Sequence, residues 1–138
     1  MPSYPECYVE EVVETQGKLF DFYASSFADM DTEFFICSYM NSKTRKYIDE
    51  SQAYVSTMDV QSLWNYFKMT DKFVHKPGKP LKGFMPDWIG EFYAYYQWFF
   101  DLSSASVLLK IPVSYLEMAY PGLHDLELDL AVRKVGKA

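Results

Sequence analysis

The residues from Pro86 to Asp101, PDWIGEFYAYYQWFFD, constrain this 138-residue chain more than any other stretch. At about 100° per residue, Tyr95, Trp88, Phe99, Phe92, Tyr96, Ile89, Phe100 and Tyr93 fall on one side of a helix. Asp87, Gly90, Glu91, Ala94, Gln97 and Asp101 fall on the other, with Trp98 as the large apolar residue among them. A fully buried aromatic side chain removes roughly 150–250 Å² from water, so a face of this kind needs a domain-sized core to cover it. Pro86 suits a first helical turn and Asp87 the positive end of the helix dipole, so the spacing predicts a helix over 86–101. Trp98 stands on the expected solvent side and is a candidate interface residue. Gly90 and Ala94 beside it leave room for a second helix or a partner to approach.

The same period appears elsewhere. Tyr8, Val9, Val12, Val13, Leu19, Phe20 and Tyr23 share a face of a predicted helix over Glu6 to Ala24, with Glu10, Glu11, Glu14, Lys18 and Asp21 pointing away. Gln16 interrupts that apolar face. A buried amide without partners costs about 1–3 kcal/mol, so Gln16 must be hydrogen-bonded, either in a structural network or as a pocket residue. A second pattern, capped by Asp31 or Thr32, carries Phe34, Ile36, Cys37, Met40, Tyr47 and Ile48 to about Glu50 and predicts one helix kinked near Asn41 and Ser42. Thr57 is read as the cap of a third helix with Val60, Leu63, Trp64 and Phe67 inward.

Residues 70–85, TDKFVHKPGKPLKGFM, have no usable period and read as a long surface loop, either functional or mobile. Short helices follow after Ser103 and Pro112, and a last one is expected from Leu123 to Val135, stopped by Gly136. The expected fold is all-α, a single irregular helical domain over residues 1–138, with five to seven helices around a central aromatic helix (86–101).

Charge divides the chain. Lys43, Arg45, Lys46, Lys68, Lys72, Lys76, Lys79 and Lys82 stand against Asp49, Glu50, Asp59 and Asp71, a net of +4 between Lys43 and Lys82; the total is -6, so the remainder carries -10. Such asymmetry speaks of partners and not of fold. Lys43, Arg45 and Lys46 form one basic cluster, and Lys72, Lys76, Lys79 and Lys82 make the loop a second candidate contact for an acidic partner. The exposed positions of the short C-terminal helices lack the Arg and Lys that phosphate contacts need, which argues against direct nucleic-acid binding.

The chain shows no apolar run long enough to cross a membrane and no secretory signal, so a cytoplasmic location without membrane association is expected. Cys7 and Cys37 have neither metal-ligand nor redox spacing. No phosphate-binding glycine loop, nucleophile elbow or zinc spacing occurs, so neither a metal nor a cofactor is expected. His124 beside Asp125 is the one constellation that suits an acid or base, and an enzyme or ligand pocket built from Gln16, Tyr95, Gln97 and His124 is the alternative function.

The stretches VETQGKLFDF, MNSKTRKYID, PDWIGEFYAYYQWF and AYPGLHDLELDLAVRKVG resemble those of small uncharacterised bacterial proteins associated with ADP-ribosyltransferase-like toxin–antitoxin gene clusters. The resemblance implies an accessory or neutralising protein and supplies no functional residues. The leading expectation is a non-catalytic protein-interaction or regulatory module, antitoxin-like or inhibitory, with a protein partner. An acidic imitation of nucleic acid toward a basic target is the other expectation that the charge distribution admits.

Overall fold

Short polar side chains, Asp31, Ser42, Asp59 and Ser103, set where four of the helices begin. The computed structural model describes residues 3–136, and among them are nine α-helices and no strand. A 3-10 turn, Glu6–Tyr8, enters α1, Val9–Ser26. Asp31 caps α2, Thr32–Met40, by accepting from the Phe34 amide. Ser42 caps α3, Lys43–Asp49, accepting from the Arg45 amide, and the Asp71 carboxylate takes the Lys43 and Thr44 amides of the same turn. Then come α4, Ala53–Ser56, and α5, Val60–Asp71, whose cap is Asp59. The remaining helices are α6, Met85–Phe99, α7, Ser104–Lys110, α8, Val113–Leu123, and α9, Leu128–Val135.

The count exceeds the expected five to seven for local reasons. The segment from Thr32 to Asp49 breaks into two helices because Ser42 turns to extended backbone and caps the second. Thr57 bonds back to the Ala53 carbonyl and ends α4 rather than starting α5. Pro121 sits within α8, which runs on to Leu123, so the last helix starts at Leu128 and not at Leu123.

Every helix contributes to one cluster of buried apolar side chains. Its rings gather in two places. Tyr23 of α1 stacks on Phe35 of α2 at 4.1 Å, with Trp64 and Phe67 of α5 edge-on to Phe35. On α6, Phe92 stacks on Tyr96 at 5.7 Å and Trp88 tilts against Phe92.

The far side of α6 departs from its helical-wheel reading. Gly90, Ala94 and Gln97 are buried, because α1 lies against this side. The crossing is tight: a Cβ on Gly90 would stand 2.6 Å from the Gln16 carbonyl oxygen, and one on Gly17 would stand 3.0 Å from the Asp87 carbonyl oxygen. Neither backbone has room for a side chain at the other.

The stretch between α5 and α6 is pinned along its first half. The Asp31 amide donates to the Lys76 carbonyl at 2.8 Å, the Gly78 amide to the Asp29 carbonyl at 3.1 Å, and the Leu81 amide to Thr32 Oγ1 at 3.1 Å. His75 Nδ1 lies 2.8 Å from the Tyr23 hydroxyl, and its ring packs on Phe27 at 4.6 Å. Lys72, Lys76, Lys79 and Lys82 remain exposed, Lys76 over the Phe34 ring at 5.6 Å. No helix among the described residues is long and apolar enough to cross a membrane.

The glycine crossing yields a direct test. Gly90→Ala forces apart two backbones and is expected to cost about 1–3 kcal/mol in urea unfolding, as overpacking does. Gly122→Ala meets nothing within 4 Å on helix α8, and is expected to be neutral or to stabilise by about 0.5–1 kcal/mol. Equal effects at the two positions would show that the α1–α6 contact is looser than described.

Candidate functional site

Two polar constellations meet at the α1–α6 pair, one inside the protein and one at its surface. The inner one is centred on Arg45 of α3, which is fully buried. Its Nε donates to Gln16 Oε1 at 2.8 Å, Nη1 to Asp49 Oδ1 at 2.6 Å, and Nη2 to Gln97 Oε1 at 2.6 Å. Gln97 Nε2 donates to the same Asp49 oxygen at 2.5 Å, and the Ser104 amide to Asp49 Oδ2 at 3.0 Å. Gln16 Nε2 donates to the Gly90 carbonyl at 2.8 Å, and the face of Tyr4 lies 5.5 Å from the guanidinium.

Burial pushes the Tyr4 and Tyr39 hydroxyls up, the nearby Arg45 charge opposing the shift, so both stay protonated. The network holds a charge, its counter-charge and satisfied amides, with no nucleophile. It is equipped to fix helices against one another. Arg45 is thus not part of an exposed basic cluster: Lys43 and Lys46 face solvent beside a cleft of about 300 Å³, while Arg45 turns inward. Gln16 and Gln97 do meet, at Arg45, and neither reaches His124.

The outer constellation is a cleft of about 340 Å³ lined by Phe84, Asp87, Trp88, Glu91, Tyr120 and His124. It forms because α6 begins at Met85 and the end of α8 folds beside its first turns. Trp88 and Tyr120 pack edge to face at 5.5 Å, and His124 stacks on Tyr120 at 4.3 Å. His124 Nδ1 is 2.7 Å from the Tyr120 carbonyl oxygen; that oxygen only accepts, so Nδ1 carries the hydrogen and Nε2 faces Asp125 at 3.2 Å. The Trp88 side chain is buried, and its Nε1 has no hydrogen-bond partner.

Asp87 and Glu91, one turn apart, are half-buried and have neither a hydrogen-bond nor an ion-pair partner among the described residues. Burial raises the Asp87 carboxyl, the Asp21 charge adds to this, and Lys18 opposes it. Burial likewise raises Glu91, with Asp87 and Glu14 contributing. The protein sets only the charge of Lys18, itself paired with Glu14, against these carboxyls.

Trp98 is half-buried, edge-on to Tyr95 at 5.6 Å, and packs against the core, so it is a partly covered residue rather than a free anchor. The cleft was missed in the sequence because its walls come from positions 84–91 and 120–124. The available signal was Asp87 and Glu91, an i, i+4 pair of like charge on an otherwise apolar helix.

No family model, curated protein or solved structure matches the chain.

A further carboxyl pair joins α2 to α8. Burial raises Glu117 to about 7, helped by its hydrogen bond with Glu33 and by the charges of Glu33 and Asp31. A carboxyl with a raised folded-state value stabilises the fold fully below its unfolded value of about 4.5, and that contribution is lost as pH rises through 7. Relative to Glu117→Gln, the wild-type urea midpoint is therefore expected to rise as pH falls from 7.5 to 4.5. A difference that stays constant with pH would exclude a shared proton at this pair. In the inner network, Asp49→Ala leaves a buried guanidinium without its counter-charge and is expected to cost about 3–5 kcal/mol in the same assay.

Proposed function

We propose that the protein is a non-catalytic interaction module that docks a basic protein surface on its acidic α1–α6 face. The carrying observation is the continuity of negative charge across the glycine crossing. Glu10, Glu11 and Glu14 are exposed on α1, Asp21 is half-buried there, and Asp87 and Glu91 continue the face on α6. The one lysine among them, Lys18, is bound to Glu14 at 2.6 Å. A single-signed face steers an oppositely charged partner and sets its orientation.

In this reading the chain is one cytoplasmic helical domain organised around α6, and the partner is a protein rather than a nucleic acid or a membrane. The resemblance to proteins of toxin–antitoxin clusters makes a neutralising or accessory role the form we favour. Lys43, Lys46, Lys72, Lys76, Lys79 and Lys82 are exposed on α3 and on the stretch between α5 and α6, not on α1 or α6.

The test is capture from native lysate, identification of the partner, and measurement of its association rate against ionic strength. Neutralising Glu10, Glu11, Glu14 and Asp21 to their amides is expected to slow association at least tenfold at low salt and to flatten its salt dependence, with stability little changed. Neutralising Lys72, Lys76, Lys79 and Lys82 to Ser should leave the rate within about twofold. Unchanged kinetics in the α1 variant, or a larger effect from the lysines, would overturn the acidic-face reading.

A further inference from the structure

The cleft within that face has a more specific chemistry than its charge alone. Its walls are aromatic on two helices, Trp88 of α6 and Tyr120 of α8, with Phe84, 82% exposed, at the entrance. Its polar groups are the half-buried carboxylates of Asp87 and Glu91, neither of which has a hydrogen-bond or ion-pair partner among the described residues. The aromatic faces favour a flat or compact cation. The carboxylates supply the counter-charge. A planar guanidinium stacks on rings and bonds to carboxylates through several N–H groups at once, whereas an ammonium is a strongly hydrated point charge.

Resting on the acidic-face reading, we propose that this cleft receives the side chain of an arginine from the docked protein, its guanidinium between the aromatic rings and the carboxylates of Asp87 and Glu91. His124 sets the rim. Asp21 and Glu14 of α1 face these carboxylates and keep the local potential negative, with Lys18 the single opposing charge. About 340 Å³ is enough for one long side chain and too little for a folded element.

The test needs no partner. N-acetylarginine methylamide is titrated into the full-length protein while the three Trp indole N–H signals are followed by NMR, the Trp88 signal assigned with Trp88→Phe. Saturable movement of the Trp88 signal at millimolar probe is expected, with at least tenfold weaker binding of the neutral citrulline analogue. The double variant Asp87→Asn, Glu91→Gln should weaken the arginine probe at least tenfold. A folded Trp88 signal in the double variant without probe controls for unfolding. No movement, equal binding of the citrulline analogue, or unchanged binding by the double variant overturns the proposal, and equal binding of the lysine analogue overturns the guanidinium assignment. If the arginine probe fails while neutralising α1 still slows the partner, the cleft assignment falls and the acidic-face reading stands. If the probe binds and the α1 variant associates normally, the acidic-face reading falls alone.

Discussion

A guanidinium with no exposure to solvent must find its counter-charge and its acceptors inside the protein, and Arg45 draws them from three helices, while a fourth binds its counter-charge Asp49 through the Ser104 amide. Desolvating an ion costs several kcal/mol even after relaxation, so an arrangement with one acceptor missing would be poorly tolerated. That requirement fixes where α1, α3, α6 and α7 sit: Gln16 must face inward, Gln97 must face α3, and the first amide of α7 must reach Asp49. The paired amides serve both sides at once, since each Gln carbonyl oxygen takes a guanidinium N–H while its amide group bonds to Gly90 or Asp49. Apolar packing brings these helices together, but it is indifferent to small rotations. The directional bonds at Arg45 are not, and they select one arrangement.

Much of the fold was legible because the apolar periods are long and the caps conventional. The aromatic side of α6, the inward face of α1 and the all-α class follow from spacing alone. What escaped was any position whose burial depends on a partner distant in sequence. Gln16 stood out on an apolar face, so its need for a partner could be read, but nothing local pointed to a residue 29 positions away. Arg45 read as a solvated charge because its neighbours Lys43 and Lys46 are solvated; only the i, i+4 relation to Asp49 hinted otherwise, and exposed pairs share that spacing. Gln97 was placed on the solvent side of α6 by the same logic. The error has one physical source: a helical wheel assigns one wet side, and α6 has helices against both.

The two glycines explain why α6 could be covered twice. With Gly17 and Gly90 facing each other, the backbones approach to a distance that a Cβ on either would prevent, and the Gln16 side chain can reach the Gly90 carbonyl across the contact. Close approach and the polar network are therefore one feature. A larger residue at Gly90 would widen the crossing and lengthen the bonds of Gln16 together.

The same crossing has an electrostatic consequence. It brings the carboxylates of α1 beside those of α6, so Asp21 raises Asp87 and Glu14 raises Glu91 where burial already disfavours their charge. In the interior, every atom of the Asp49 carboxylate is engaged; a few turns along the same helix pair, two carboxylates are left without a partner. Sequences that satisfy local rules throughout and break them at one place tend to do so where function requires it. Repulsion among Glu14, Asp21, Asp87 and Glu91 opposes the contact that the glycines permit, and a guest cation would relieve it. Burial around Trp88 and Tyr120 raises the value of that relief, because a charge pair interacts more strongly where water is partly excluded. The unbalanced charge at the cleft is thus tolerable in the free protein only because the rest of the α1–α6 contact, anchored at Arg45, is strong enough to hold it.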